Sequence, residues 1–221
     1  MSELAAFFQA VQSGDAGKVA ALLDADGSLA NAKNEKGQSA VLLAAYSSRK
    51  EIRDLLLARG IELQLHEAAA AGQLARVKKI VEGDAALVNQ FSPDGFPVFA
   101  LAAVFGHGDV AEYLFSKGAD VNAAATNGTG YNALTGAVAS GHAQIVGWLL
   151  RNGANANYRY AAGYSPVITA AANGHLEIVK ILFEHGADLL AKTNDGKTAL
   201  SFAEERGHAA VSEFLRSHSG S

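Results

Sequence analysis

The chain has 221 residues, enough to bury a sizeable core, and with 49% of them hydrophobic wholesale disorder is excluded. It contains no cysteine, which rules out disulfides, thiolate nucleophiles and cysteine-ligated metal sites, and its formal charge of −4 argues against a nucleic-acid-binding face. Glycine is in surplus (23 residues) and proline scarce (3), against usual shares of about 7% and 5%, so the backbone must turn tightly at many places.

The start, Met1-Ser2-Glu3, has no basic residue before Lys18 and no apolar run, so it does not read as a secretory signal and the chain is expected to stay in the cytoplasm. The longest uncharged interval, Val121 to Leu150, includes Asn122, Asn127, Asn132, His142 and Gln144, and is not a membrane span. In chain order, a first helical pattern ends at Gly14-Asp15 and a second follows it. This unit, about 2–34, is polar at Gln9, Gln12, Asp15 and Lys18, which suits a cap. The second unit, 35–60, has Ser48 at the position between its helices, and the next such position is Gly72, only 24 residues on. The lost piece is a hairpin turn, because Ile61-Glu62-Leu63-Gln64 runs straight into a helix starting near Leu65.

Beyond it the pattern is regular. Gly72-Gln73, Gly106-His107, Gly141-His142, Gly174-His175 and Gly207-His208 are spaced 34, 35, 33 and 33 residues apart. An alanine-rich turn of helix precedes each, an apolar helical pattern follows, and Gly118, Gly153 and Gly186 close three of those second helices. The units run about 61–90, 91–123, 124–157, 158–190 and 191–218, with two extra residues within Asn127 to Gly130. Glu204, Glu205, Arg206, Ser212, Glu213 and Arg216 make the last unit a polar cap; Ser217 onward is expected to fray, and 219–221 to be a disordered tail. A unit of this kind buries its apolar face only by stacking on its neighbours, so 1–218 is expected to form a single domain.

These motifs resemble the ankyrin repeat, with its T-P-L-H-x-A turn, its Gly-His and its closing G-A-D-V-N. The residues that carry the resemblance are Asp195-Gly196-Lys197-Thr198-Ala199-Leu200, Ser165-Pro166-Val167 and Gly118-Ala119-Asp120-Val121-Asn122, in phase over about Leu4 to Arg216. The resemblance, to cytosolic ankyrin-repeat proteins of the bacterial type, implies an all-α solenoid of about seven helix–turn–helix repeats with short hairpin turns.

No catalytic constellation is read, and the chain is not expected to be an enzyme or to need a cofactor. His107, His142, His175 and His208 recur once per unit, which predicts a row rather than a cluster converging on one metal ion. His66 matches the histidine of T-P-L-H, and His185 suits the end of its helix. Ala191 to Thr198 is one residue short of a phosphate-binding loop, but it is the ordinary repeat turn, with no strand before it. Asn127-Gly128-Thr129 matches a glycosylation acceptor and reads as a polar turn. Arg76, Lys78 and Lys79, and the pair Glu204-Glu205, read as solvated surface.

The resemblance implies a partner surface built from hairpin tips and the inner face of the first helices. Carried onto this chain, it comprises Tyr46, Phe91, Phe96, Phe105, Tyr131, Arg159, Tyr160, Tyr164, Asn173, Lys192 and Asn194. Aromatics gather in the fourth to sixth units, and aromatic side chains and arginine are enriched at binding hot spots. Tyr160 and Tyr164 are expected to be exposed, with Arg159 offered to an acidic or aromatic group of the partner, while Phe91 and Phe96 either do the same or pack between hairpins. Trp148 is expected to pack inside or between repeats. The missing hairpin leaves a notch, read as a tolerated deletion or as a divide between two surfaces. The function read is a monomeric, non-enzymatic scaffold for another protein, with no nucleic acid or membrane partner. The alternatives are a regulatory or inhibitory subunit of a partner enzyme, a small-molecule or metal binder, and a secreted effector.

Overall fold

A computed structural model describes residues 2–218. Among them the chain is all-helical, with fourteen α-helices and no strand, and it divides into two compact units, Met1–Leu87 and Val88–Ser221.

The first unit holds α1 (Glu3–Ser13), α2 (Ala16–Ala25), α3 (Ala40–Tyr46), α4 (Lys50–Ala58), α5 (Leu65–Ala70) and α6 (Leu74–Gly83). Helices pair in sequence, and α1, α3 and α5 stack in a row. Side chains define the starts: the Ser2 hydroxyl accepts the Ala5 N–H, Asp15 Oδ1 that of Lys18, and Glu67 Oε2 that of Gln64 at 2.7 Å. Gly14, at φ +87°, turns the chain from α1 into α2. Ser48 holds the equivalent position between α3 and α4 at φ +54°, where a side chain is strained.

Three local features go beyond the sequence reading, and the last of them corrects it. Arg49 occupies the place of the repeat histidine: its guanidinium packs on Gly14 and its Nε donates to Gln12 O at 3.3 Å. Helices α2 and α6 end not on a glycine but on Asp26 and Asp84, whose carboxylates accept the N–H groups of Ser28 (2.9 Å) and Ala86 (3.0 Å) and start short 3-10 turns. A hydrogen bond from the Ser28 side chain, and after it the one from the Ser28 N–H, holds the Asp26 carboxyl below the usual carboxylate range. Arg76 is no free surface cation, since it donates to Leu63 O at 2.9 Å and pairs with Glu62 at 3.2 Å. Ile61 to Gln64 runs extended into α5 with no turn, as the short spacing predicts.

The second unit holds α7 (Val98–Val104), α8 (Gly108–Ser116), α9 (Ala133–Ala139), α10 (Ala143–Arg151), α11 (Pro166–Ala172), α12 (Leu176–Glu184), α13 (Ala199–Glu205) and α14 (Ala209–His218). The short helices α7, α9, α11 and α13 stack side by side, and α10, α12 and α14 form a second row. Alanines make the first row possible: Ala102, Ala103, Ala137, Ala170, Ala171 and Ala203 are buried, and a larger side chain would hold the backbones apart. Leu114, Leu149, Leu182 and Leu215 recur in phase on the second helices, each fully buried. Trp148 packs between repeats as expected, its ring 5.3 Å from Phe115 and 6.4 Å from Phe99.

Two series of bonds tie neighbouring repeats together. The rings of His142, His175 and His208 pack on Gly106, Gly141 and Gly174 of the preceding repeat, and the Nε2 atoms of His142 and His208 each lie 3.1 Å from a carbonyl oxygen there, that of Val104 or Ala172. The histidines thus form a row with a structural task. Asn89, Asn122 and Asn157 reach forward in the same way. Each amide donates to the carbonyl of Gly118, Gly153 or Gly186, and each amide oxygen accepts the N–H of Asp120, Asn155 or Asp188, at 2.7–3.2 Å. At the next equivalent position stands Leu190, 59% exposed.

The C-terminal end corrects one expectation. Ser217 and His218 belong to α14 rather than to a frayed tail, and the His218 ring stacks on Phe214 with centroids 4.1 Å apart. The tail assigned to 219–221 lies outside the described residues.

Candidate functional site

The tips of the second unit are hairpin turns bridged at Phe91–Pro97, Tyr160–Tyr164 and Lys192–Thr198. Each turn is bonded to the next. Thr126 N–H donates to Gly95 O, Asn127 Nδ2 to Asp94 O, Ala161 N–H to Thr129 O and Asn194 N–H to Ala162 O, at 2.9–3.3 Å. The tips therefore form a continuous, laterally braced edge. Asn127 spends its side chain in this brace, accepting also from Thr129 at 2.6 Å, which makes the Asn-Gly-Thr sequence a structural turn. Thr193, Asp195 and Lys197 likewise close the last turn, with Thr193 Oγ1 donating to Asp195 Oδ1 at 2.5 Å and accepting the Lys197 N–H at 3.1 Å. The bond from Thr193 holds the Asp195 carboxyl below its ordinary range, and Glu205, bonded to the Lys197 ammonium at 2.9 Å, raises that group.

Along this edge five rings run in contact. Centroid separations are 5.3 Å from Tyr131 to Tyr160, 6.4 Å from Tyr158 to Tyr160, 6.2 Å from Tyr160 to Tyr164 and 5.5 Å from Tyr164 to Phe202, all within the range of favourable aromatic pairing. The row crosses from the turn before α9, through the turn before α11, to the face of α13. Tyr131 is its most open member, at 40% exposure. Tyr158 is pinned from below, its hydroxyl donating to Gly130 O at 2.8 Å.

Tyr160 and Tyr164 depart from expectation, since both are half-buried rather than exposed. The Tyr160 hydroxyl bonds to Thr169 Oγ1 on α11. Burial pushes this phenol up to about 12, against the opposing effect of the Thr169 bond. Folding thus favours the protonated form: the contribution is fully present below the unfolded value of 10.0 and is lost as pH rises toward 12. In an alkaline titration followed by tyrosinate absorbance, Tyr160 is expected to ionise near pH 12, and Tyr160→Phe to remove that step. A titration unchanged by the substitution would show that the ring is not buried.

The remaining expected residues separate. Arg159 is exposed, but its guanidinium donates to Lys192 O on the next turn, so it braces the tips before it meets any partner. Asn173 also reaches across repeats, to Ala139 O at 3.3 Å. Lys192 and Asn194 are exposed beside the row, and Phe91, at 39% exposure, stands on the first hairpin of this unit. Phe96 and Phe105 are half-buried. Tyr46, also half-buried, belongs to the first unit. Sequence reasoning missed Tyr158 and Phe202. The alternation of Tyr158 and Tyr160 in an extended segment is the signal that points both rings to one side.

The bonds that brace this edge sideways pass between successive repeats, which defines a tandem-repeat protein whose neighbours hold one another in place. Residues 65–160 and 134–221 match the family described as ankyrin repeats (3 copies). With more than half its length matched, the chain belongs to the ankyrin-repeat family, whose members are generally protein–protein interaction modules. Among the described residues no helix is long and apolar enough to cross a membrane.

Proposed function

We propose that the chain is a non-enzymatic, cytoplasmic scaffold, monomeric by itself, that captures a partner protein on the aromatic row of its second unit. Tyr131 and Tyr164 supply the central contacts, with Phe91, Arg159, Lys192 and Asn194 around them. The observation that carries this reading is the unbroken run of five rings along a braced edge. Rigid aromatic surface buries much area at little entropic cost, and the brace means that little ordering remains to be done on binding.

The test uses the two tyrosines whose rings are not tied by a hydroxyl bond. Tyr131→Ala and Tyr164→Ala are each expected to weaken capture of the partner recovered from native extract. A hot-spot ring is worth about 2 kcal/mol, a loss of about 30-fold, and the melting temperature should move by only a few degrees. Unchanged capture by both variants would place the binding surface elsewhere.

A further inference from the structure

The absent hairpin of the first unit leaves an open notch of about 230 Å³ between the Lys33–Ser39 turn and the extended segment Ile61 to Gln64. Its wall is partly apolar, with Val41 and Leu63 buried, but it also includes the carboxyl group of Glu67, which is 5% exposed. That carboxylate accepts one hydrogen bond, from Gln64 N–H at 2.7 Å, and the nearest group able to carry positive charge is His66 Nε2 at 4.0 Å. Lys33 lines the same notch, is exposed, and forms no ion pair with it among the described residues. A carboxylate has room for about four hydrogen bonds, so this one keeps acceptor capacity toward the notch it lines. The segment beside it is similarly incomplete. Among the described residues, the backbone N–H and C=O of Ile61 and Glu62 and the N–H of Leu63 make no hydrogen bond, while Leu63 O is taken by Arg76.

We propose that this notch binds an extended segment of a partner protein that pairs edge to edge with Ile61 to Leu63 and seats an arginine side chain against Glu67. Both halves of the site ask for the same ligand. Unpaired backbone groups in an extended conformation are completed by an added strand, and a carboxylate with acceptor capacity left on the notch wall is completed by a guanidinium, which donates two parallel hydrogen bonds. The incoming strand replaces the turn that other repeats possess. Glu62 contributes less, since its charge is engaged with Arg76.

The probe is a capped peptide, Thr-Val-Arg-Val-Thr, titrated into the isotope-labelled full chain and followed by backbone amide NMR shifts. Its partner probe carries glutamine in place of the arginine. The arginine peptide is expected to shift the amides of Ile61, Glu62 and Leu63 and to bind about 10-fold more tightly than the glutamine peptide. Glu67→Gln keeps an acceptor for the Gln64 N–H and is expected to erase that preference, with an unchanged spectrum elsewhere showing that the fold is intact. If Glu67→Gln perturbs the fold, Glu62→Pro, which removes an open N–H from an exposed position of the edge, is expected to weaken binding of both peptides. The proposal is overturned if the arginine peptide leaves residues 61–63 unshifted at millimolar concentration, if the two peptides bind wild type equally, or if the shifts fall on the tyrosine row instead.

Discussion

Gly174→Val is expected to lower the stability of the second unit by about 3–5 kcal/mol, which for a chain of this size is roughly 10–15 °C in melting temperature. Two costs combine. Gly174 turns the chain at φ +74°, a conformation that costs a branched side chain about 1–2 kcal/mol or more. A β-carbon there would also lie 2.6 Å from His208 Nδ1, so the ring that closes the next repeat must leave its seat and loosen its contact with Ala172 O. Gly186→Val separates the two costs. Gly186 has almost the same φ, +79°, and nothing within 4 Å of the added carbon, so only the backbone penalty remains. Thermal melts of the two variants should therefore differ by about 2 kcal/mol or more, and Tyr164→Ala should be milder than Gly174→Val. Equal melts for the two glycine variants would mean that the histidine does not rest on the glycine.

Leu149→Ala is expected to cost about 3–4 kcal/mol, because it removes buried atoms from the middle of a stack that can close over the cavity from neither side. Leu149 is fully buried on α10, which packs on α9 and α12 and meets Phe115 of the preceding repeat through Trp148. Leu215→Ala removes the same atoms from a side chain just as buried, on α14, which packs on α13 and α12. In a stack held by nearest neighbours, a defect in the middle uncouples both sides, whereas one in an outer helix pair loosens that pair alone. Hydrogen exchange should show opening confined to α13 and α14 in Leu215→Ala and spread over the whole unit in Leu149→Ala. The same exchange pattern in both variants would show that the unit unfolds as one block.

The repeat register was legible because a left-handed turn leaves little choice of residue. Glycine stands at Gly14, Gly72, Gly106, Gly141, Gly174 and Gly207, each with positive φ between its two helices. What links one repeat to the next was less legible, since those bonds depend on how the units stack. Asn122 is visible in the sequence as part of a closing motif, but its reach to Gly153 is not. Arg49 was hidden for a related reason: a guanidinium and an imidazole look unlike in sequence yet present an N–H to the same carbonyl position. In the candidate site, the aromatic enrichment was readable and the burial was not. Tyr160 and Tyr164 flank a turn glycine, which suggests exposed tips. Thr169 on α11 and Phe202 on α13 then cover them from the next layers. Arg159 looked available until the turn of the following repeat supplied Lys192 O.

The asparagine series also has a bearing on how such a chain grows. Asn157 carries a hook for the repeat ahead, and Gly153 with Asn155 is the eye for the hook behind, so both fittings lie within residues 141–173. An in-frame duplication of that cassette would arrive with matching couplings at each end: Asn157 would engage the copied Gly153, and the copied Asn157 would engage Gly186. Lengthening is thus available to the second unit by copying alone. The segment from Gly60 to Leu65 lacks these fittings, and copying it would splice in a joint with nothing to latch.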